Sequence, residues 1–295
     1  MKTPIRYAGG KTKAIKIITP FVEGYDRIIS PFIGGGSLEV HWASMGKTVI
    51  GHDIFDALVN FWNVLLNNKE ELVNKLSEIQ PNDDEYRRIK EILISWDKTQ
   101  EMLSGWKTNF YVRENSIQLD DITAAAYYFF NHNASYGPGY LGWGSSIYLN
   151  YKSWNKMIES IRNFSCPNLS VFKKSYDIVI QENPNDFLYL DPPYFMGQDS
   201  DNKMHSAIYP MKNIPVHHDG FNHELLRDLL KNHNGNFVLS YNNCETIREF
   251  YSDFEQFFPT WHYSMGNGET RIGKNRKELN MVNAKDSHEI LIVKR

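Results

Sequence analysis

The tetrapeptide DPPY at residues 191–194 is the most specific chemical pattern in the sequence. It follows the apolar run FLYL at 187–190, which predicts a buried strand, and ligands of open α/β sheets bind beyond the carboxyl ends of strands. The Asp191 carboxylate and the Pro192 carbonyl could accept hydrogen bonds from an exocyclic amine, whose lone pair is otherwise delocalised into its ring. The ring of Tyr194 could stack on an extruded base, a contact worth about 1–3 kcal/mol. The plainer interpretation is a strand-ending turn, for which Asp-Pro is common.

A second pattern, SPFIGGGSLEV at residues 30–40, combines a strand end, a run of glycines and a helix start. Glycines let the backbone approach a ligand closely, and a helix start exposes free N–H groups. The spacing is not GxGxxG, so a dinucleotide fingerprint is not matched. Asp53 ends the next predicted strand, where a carboxylate can bind both ribose hydroxyls of an adenosine. The glycines alone are equally typical of a tight structural turn.

The N-terminal segment IRYAGGKTK at residues 5–13 contains a Gly-Gly-Lys turn without a preceding strand. A phosphate-binding P-loop is excluded, because that motif needs an earlier glycine and a strand before it. Lys11 is a candidate partner for the carboxylate of a cofactor's methionine part. An ordinary N-terminal loop is the alternative interpretation.

Short apolar runs bounded by turn residues predict buried strands. They lie at residues 27–33, 48–51, 169–172, 187–190, 236–240 and 289–293. Helical patterns lie between several of them, at residues 37–45, 54–66, 175–180, 221–232 and 245–250. Strand alternating with helix predicts an α/β fold with a Rossmann-like, mostly parallel sheet and helices on both faces.

The alternation is interrupted between residues 67 and 165, where polar helical patterns predict an inserted helical subdomain. These patterns lie at residues 70–79, 84–96 and 120–131. The catalytic domain would then comprise residues 1–66 and 166–295, and the insert residues 67–165. Within the insert, the stretch at 133–146 is rich in glycine and aromatics and cannot be a long helix.

Composition limits the class of protein but does not identify a nucleic-acid partner. The chain has 295 residues, of which 41% are hydrophobic, which is enough for one sizeable core. Its formal charge of −3 lacks the basic excess of a typical DNA-binding protein, although a basic cleft can coexist with acidic helices. The cysteines stand far apart and no long apolar run occurs. We therefore expect a soluble intracellular protein without zinc, disulfides or a membrane segment.

Together, these three motifs resemble the Dam-type, D12 class DNA adenine-N6 methyltransferases, and their order resembles that of the family's α group. The resemblance implies the class I S-adenosylmethionine-dependent methyltransferase fold, S-adenosylmethionine as methyl donor with S-adenosylhomocysteine as product, and double-stranded DNA as substrate. It implies that the catalytic residues are Asp191, Pro192, Pro193 and Tyr194. It implies that the cofactor binds to Tyr7, Ala8, Gly9, Lys11, Phe32, Gly34, Asp53, Ser175, Tyr176 and Asp191. Without the resemblance, the Ser-Tyr pair at 175–176 would be a helix cap followed by a core aromatic.

The segment FFNHNASYGPGY at residues 129–140 is similar to the family's stretch that leads into a DNA-contacting hairpin. Members that recognise GATC usually carry an arginine after the first asparagine and another in the hairpin, whereas this chain has His132 and a Gly-Pro-Gly run at 137–139. We therefore expect a short recognition motif other than GATC. Candidate DNA-binding residues are Asn131, Asn133, Ser135, Tyr136 and Tyr140, with Trp143 as a further stacking residue, and the basic cluster Arg271, Lys274 and Arg276. A loop packed on the insert and a solvated basic face are the alternatives.

The expected reaction is in-line attack of N6 of a flipped-out adenine on the sulfonium methyl group, with no metal and no covalent intermediate. Cytosine-N4 or protein glutamine methylation is the nearest alternative, but those enzymes usually present Ser or Asn before Pro-Pro-Tyr. A nucleotide-dependent oxidoreductase is disfavoured by the absence of GxGxxG, and a catalytically silent DNA-binding protein by the complete set of cofactor residues. The sequence leaves open the recognised motif, the oligomeric state and whether a cognate restriction endonuclease acts on the same site.

Overall fold

The computed structural model describes residues 1–104, 115–137, 139–195, 221–259 and 289–295, which form a layered α/β structure. The strands are β1 (Arg27–Ser30), β2 (Thr48–Asp53), β3 (Leu169–Lys173), β4 (Leu188–Leu190), β5 (Phe237–Asn242), β6 (Glu255–Phe257) and β7 (Glu289–Lys294). They form one sheet in the order β3-β2-β1-β4-β5-β7-β6. The neighbours from β3 to β5 run parallel, whereas β7 is antiparallel to both β5 and β6. This arrangement confirms the predicted mostly parallel class and agrees with the class I methyltransferase fold.

Each predicted apolar run contains a strand, but two details differ from the prediction. The run at residues 27–33 ends as a strand at Ser30, because the backbone then leaves the sheet into the glycine loop. Strand β6 was not predicted, since its three residues EQF are partly exposed and mostly polar. A short strand at the sheet edge has one partner and little buried surface, so its sequence lacks a strong apolar signal.

Helices fill the connections between strands. They are α1 (Ile15–Ile18), α2 (Ser37–Ser44), α3 (Asp56–Asn67), α4 (Lys69–Glu78), α5 (Asp83–Ser95), α6 (Asp97–Ser104), α7 (Asp121–Asn133), α8 (Tyr151–Arg162), α9 (Tyr176–Glu182), α10 (His223–Asn232) and α11 (Glu245–Phe250). Side-chain oxygens that accept a backbone N–H three residues later cap α5, α7, α8 and α10. Of these helices, α1, α6 and α8 were not predicted. Among the described helices, none combines the length and the apolar character that crossing a membrane requires.

Alternate residues of the central strands enter two hydrophobic clusters, one on each face of the sheet. In β4, Tyr189 belongs to the cluster that includes α2 and α3, whereas Leu188 and Leu190 belong to the cluster that includes α9, α10 and α11. This period of two is the expected geometry of a strand that is covered on both sides. The burial confirms the predicted layers of helix, sheet and helix.

The helices of the predicted insert share the first of these clusters instead of forming a core of their own. Helix α7 packs against α3, α4 and α5, and α8 packs against α4. Phe129 of α7 stacks on Phe61 of α3 with 5.3 Å between ring centroids. The insert boundaries at residues 67 and 165 stay a prediction, and the shared core fixes the insert on the catalytic sheet.

Candidate active site

The carboxyl ends of the parallel strands place polar residues along one edge of the sheet. Asp191 follows β4, Asp53 ends β2 and Asn242 ends β5. Because β7 runs antiparallel, its first residue, Glu289, lies at this same edge and pairs with Asn242. Carboxylates from three strands and an amide from a fourth therefore line this edge.

Lys11 joins the N-terminal segment to the DPPY motif. Its Nζ donates to Oδ1 and Oδ2 of Asp191 at 2.8 and 2.9 Å, and to the Tyr194 hydroxyl at 2.7 Å. The Lys11 side chain is 4% exposed and the Asp191 side chain is 23% exposed. The cation of this ion pair is therefore buried, whereas the carboxylate is partly accessible to solvent. The sequence predicts Lys11 beside the cofactor carboxylate, and the structure places it on Asp191.

Tyr194 is buried and its hydroxyl is held from two sides. The hydroxyl accepts a hydrogen bond from Lys11 and donates to Glu289, with 2.6 and 2.5 Å to the two carboxylate oxygens. The Ser240 hydroxyl donates to Glu289 Oε2 at 3.1 Å. Sequence reasoning missed Glu289 and Ser240. The available signal was an acid at the head of the otherwise apolar run EILIV, where a solvated strand start was the ordinary interpretation.

The backbone after the two prolines is fixed by the end of β5. Asn242 accepts a hydrogen bond from the Phe195 N–H at 2.9 Å and donates to the Phe195 carbonyl at 3.0 Å. Pro192 is buried and Pro193 half-buried between these anchors. The sequence predicted a strand at residues 236–240 but assigned no role to Asn242.

The site holds more carboxylates than cations among its described residues, and burial shifts their titration. Burial raises the pKa of Asp191, against the charge and hydrogen bond of Lys11. Burial likewise raises the pKa of Glu289 to about 7. Glu39 of α2, whose Oε1 accepts from the Ser30 hydroxyl at 2.8 Å, has a pKa raised by burial to about 7. For all three carboxyl groups the largest cause of the raised pKa is burial, which disfavours the charged form.

The glycine loop before α2 is shaped by two aromatic side chains. A Cβ on Gly35 would lie 2.3 Å from Cβ of Tyr7, so only glycine lets Tyr7 pack there. Gly36 has φ +62°, and a Cβ on it would meet Trp62 at 2.8 Å. The Trp62 Nε1–H donates to the Gly34 carbonyl at 3.0 Å. The glycines therefore permit internal packing as well as the close ligand approach that the sequence suggests.

Asp53 is tied to this loop. Its Oδ2 accepts the Gly34 N–H at 3.2 Å and its Oδ1 accepts the Phe55 N–H at 3.1 Å. The side chain is half-buried, and a carboxylate has about four acceptor positions. Asp53 therefore lies beside the glycine loop at the carboxyl end of β2, where the sequence predicts a ribose-binding acid.

Aromatic rings close the side of the site next to the glycine loop. Phe32 and Tyr176 stack with 5.4 Å between centroids, and Phe221 contacts both rings. The Ser175 hydroxyl bonds to Asp177 rather than capping α9, so the cap interpretation is wrong for its side chain. The half-buried rings and Asp53 form a surface with stacking faces and hydroxyl acceptors, which fits an adenosine-containing cofactor.

The N-terminal segment is also bonded to the end of α7. The Arg6 N–H donates to Asn133 Oδ1 at 2.8 Å, and the Arg6 guanidinium donates to the Asn133 carbonyl at 2.6 Å. The His132 Nε2 donates to the Arg6 carbonyl at 2.7 Å, and the His132 ring stacks on Tyr7. Ala8 and Gly9 form the turn between Tyr7 and Lys11. One short segment thus contacts the glycine loop, Asp191 and the insert.

The candidate recognition residues divide into buried and exposed groups. The buried group is Asn131, Asn133, Ser135 and Tyr140. Asn131 accepts the Leu141 N–H at 2.6 Å, and Ser135 accepts the Gly139 N–H at 3.1 Å. A bridge between Ser135 and Gly144 forms a hairpin from which Tyr136 (59% exposed) and Trp143 (80% exposed) project. The buried residues therefore shape the hairpin, and Tyr136 and Trp143 face solvent. Arg271, Lys274 and Arg276 lie outside the described residues.

A family model described as D12 class N6 adenine-specific DNA methyltransferase matches residues 7–265 of the chain. The matched span includes the N-terminal segment, the glycine loop, the insert and the DPPY motif. Glu289 and β7 lie beyond it.

Proposed function

Since the chain belongs to the D12 class N6 adenine-specific DNA methyltransferases, we propose that it transfers a methyl group from S-adenosylmethionine to a flipped-out adenine in a short duplex motif. The observation that carries this proposal is the Asp191 carboxylate. It follows β4 directly, is partly exposed, and is held from behind by the buried ammonium of Lys11. A fixed acceptor at this edge is what a weakly nucleophilic exocyclic amine needs.

Asp191 retains capacity to bind the target amine although Lys11 contacts both of its oxygens. A carboxylate has about four lone-pair positions; Lys11 occupies one on each oxygen and the Tyr194 hydroxyl also contacts the group, which leaves a position for the amine. Asp191 and the Pro192 carbonyl would accept the two hydrogens of N6, and these bonds strengthen as the nitrogen becomes positive. Tyr194, whose hydroxyl is fixed by Lys11 and Glu289, would supply a rigid wall for the base.

The cofactor would bind along the glycine loop. Asp53 would accept the ribose hydroxyls, Phe32 and the Ser175-Tyr176 pair would contact the adenine, and the segment from Tyr7 to Lys11 would cover the methionine part. S-adenosylmethionine supplies a methyl group on an electrophilic sulfonium, so no metal and no covalent enzyme intermediate are required. The contribution of the protein is alignment, which can provide about 7–11 kcal/mol.

The hairpin would contact the opened duplex. Tyr136 and Trp143 are its exposed aromatics and can stack on unpaired bases or wedge into the helix. His132 stands where GATC-recognising members carry arginine, and here its buried ring bonds to Arg6. The buried position of His132 supports a recognition motif other than GATC. Arg271, Lys274 and Arg276 are proposed phosphate contacts on their sequence alone.

The decisive test is methyl transfer from labelled S-adenosylmethionine to unmethylated genomic DNA, followed by single-molecule sequencing of the modified bases. We expect N6-methyladenine in one short motif. Incorporation into cytosine, or into RNA or protein only, would contradict the proposal. Cofactor binding is checked separately, since S-adenosylmethionine at a hundredfold excess over its Kd should stabilise the fold by about 2.7 kcal/mol.

A further inference from the structure

Glu289 is a buried carboxylate that lies outside the three sequence motifs of the candidate active site. Its side chain is 3% exposed, and its oxygens accept hydrogen bonds from the Tyr194 hydroxyl and from Ser240. An isolated buried carboxylate is strongly unfavourable unless hydrogen bonds or a cation compensate its charge. Glu289 reaches a cation, Lys11, through the hydroxyl of Tyr194.

The hydrogen bonds that link Lys11, Tyr194 and Glu289 have a defined direction. A tyrosine hydroxyl has one proton, and Tyr194 gives it to Glu289, because a carboxylate can only accept while it is ionised. The Tyr194 oxygen is then the acceptor for Lys11, whose ammonium can only donate. Such chains polarise each member, so a negative Glu289 strengthens the bond between Tyr194 and Lys11.

We propose that Glu289 is a positioning residue for methyl transfer, because it draws the Lys11 ammonium towards Tyr194 and so keeps the Asp191 oxygens available to the target amine. The inference rests on the proposed function and assigns a new residue to that same site. Without the charge of Glu289, the attraction of the ammonium to Asp191 would no longer be balanced from the side of Tyr194. The ammonium would then compete more strongly with the amine for the same lone pairs.

The groups that face Glu289 determine how this role depends on pH. Lys11, Asp191 and Tyr194 surround it, Tyr189 lies beside Asp191 on β4, and Glu39 faces Asp191 from α2. Burial raises the pKa of Glu289 to about 7, with Lys11 opposing and Asp191 reinforcing that shift. Because the ionised form does the positioning, turnover should rise with pH through this value.

The test compares Glu289→Gln with wild type in DNA methylation between about pH 6 and pH 8.5. Glutamine keeps the size and an acceptor oxygen but loses the charge. We expect kcat to fall about 10- to 100-fold, KM for DNA and cofactor to change less than about threefold, and the rise near pH 7 to disappear. Glu255→Gln is the matched control, because this acid is exposed on β6 and should leave kcat and the profile unchanged. Unchanged kcat and profile in Glu289→Gln would overturn the inference.

A double-mutant cycle with Tyr194→Phe separates positioning from a general structural role. If Glu289 acts through the Tyr194 hydroxyl, the kcat of the double variant should be no lower than that of Tyr194→Phe alone. If the two losses in kcat multiply instead, the proposed coupling through Tyr194 is contradicted. Ser240→Ala removes a hydrogen-bond donor that lowers the pKa of Glu289, so it should shift the rise of kcat near pH 7 to higher pH, even if Glu289→Gln does not fold. If the rise of kcat near pH 7 did not shift in Ser240→Ala, the inference would be overturned. A wild-type protein that transfers nothing to DNA adenine would instead contradict the proposed function.

Discussion

Two buried polar clusters of the molecule differ in charge. The cluster at the sheet edge is ionic and consists of Lys11, Glu39, Asp191 and Glu289 with Tyr194. The cluster at the base of the hairpin is neutral and consists of Asn131, His132, Asn133 and Ser135. The ionic cluster can change its protonation and can polarise a ligand. The neutral cluster provides backbone hydrogen bonds and therefore determines shape.

The two clusters respond to pH in opposite directions. Burial raises the pKa of Glu39 and of Glu289, so the folded state holds extra protons below about pH 7 and these groups favour folding at lower pH. Burial lowers the pKa of His132 to about 4, so this ring stays neutral and its contribution is lost as the solution becomes more acidic. Variants that act on one cluster only can therefore be recognised by their pH dependence.

Asp191→Ala should have the largest effect, a decrease in kcat of about 1000-fold, which corresponds to about 4 kcal/mol. The substitution removes the proposed acceptor for the target amine and the carboxylate that pairs with Lys11. Radiolabelled methyl transfer under saturating DNA and cofactor measures it. Asp186→Asn is the matched control, because Asp186 precedes β4 at the opposite end of the strand and only approaches Arg27 at 3.6 Å. Equal losses of kcat in the two variants would show that the effect is not specific to the carboxyl end of β4.

Glu39→Gln should become more stable relative to wild type as pH rises. The pKa of Glu39 is about 7 when folded, against an ordinary value of 4.5, so the wild-type unfolding free energy falls across this interval. The variant lacks this group, and its relative stability should increase by up to about 3 kcal/mol between pH 5 and pH 8. Urea denaturation at the two pH values measures the difference. A difference in unfolding free energy that does not change with pH would contradict the raised pKa of Glu39.

The sequence predicts which residues lie at the carboxyl ends of the strands better than it predicts the side-chain bonds between those residues. Apolar runs marked the strand that delivers Asp191, and the DPPY and glycine motifs followed directly from local pattern. The bond between Lys11 and Asp191 joins residues 180 positions apart, and the bond between Tyr194 and Glu289 depends on the antiparallel direction of β7. Local periodicity contains neither the strand order nor the direction of the last strand, so these partners could not be predicted.

The insert shows a different limit of prediction. Its helices α4, α5 and α7 were predicted from their periodicity, but the orientation of single polar side chains was not. Asn131 is a typical candidate for contacts with base edges, yet it is 0% exposed and bonds to Leu141. An asparagine that bonds to a base and one that bonds to the backbone look the same in sequence. Only the fold distinguishes the two.

Asn131→Ala should lower the unfolding free energy by about 2 kcal/mol, because it leaves the buried Leu141 N–H without its acceptor. Leu141 has φ +56°, a conformation that is unfavourable for leucine and that this hydrogen bond helps to hold. Urea denaturation should give the same loss at pH 7 and at pH 8.5, because neither partner of this hydrogen bond titrates in that range. Asn163→Ala is the control, since this amide is exposed at the end of α8 and should change stability by less than about 0.5 kcal/mol. A loss for Asn131→Ala that grew with pH would mean that the hairpin base is coupled to the ionic cluster.

Trp143→Ala should have the smallest effect on the fold and should act on DNA affinity alone. The side chain is 80% exposed and projects from the hairpin into solvent, so its removal leaves the unfolding free energy within about 0.5 kcal/mol. Loss of one stacking contact should raise the Kd for DNA about tenfold, since a base stacked on an aromatic ring contributes about 1–3 kcal/mol. Fluorescence anisotropy with a duplex that contains the methylated motif measures it. Met45→Ala is the control, because Met45 is exposed just beyond the carboxyl end of α2. If both variants bound DNA as wild type does, the hairpin aromatics would not be the DNA contact, and the neutral cluster beneath them would shape a surface with another role.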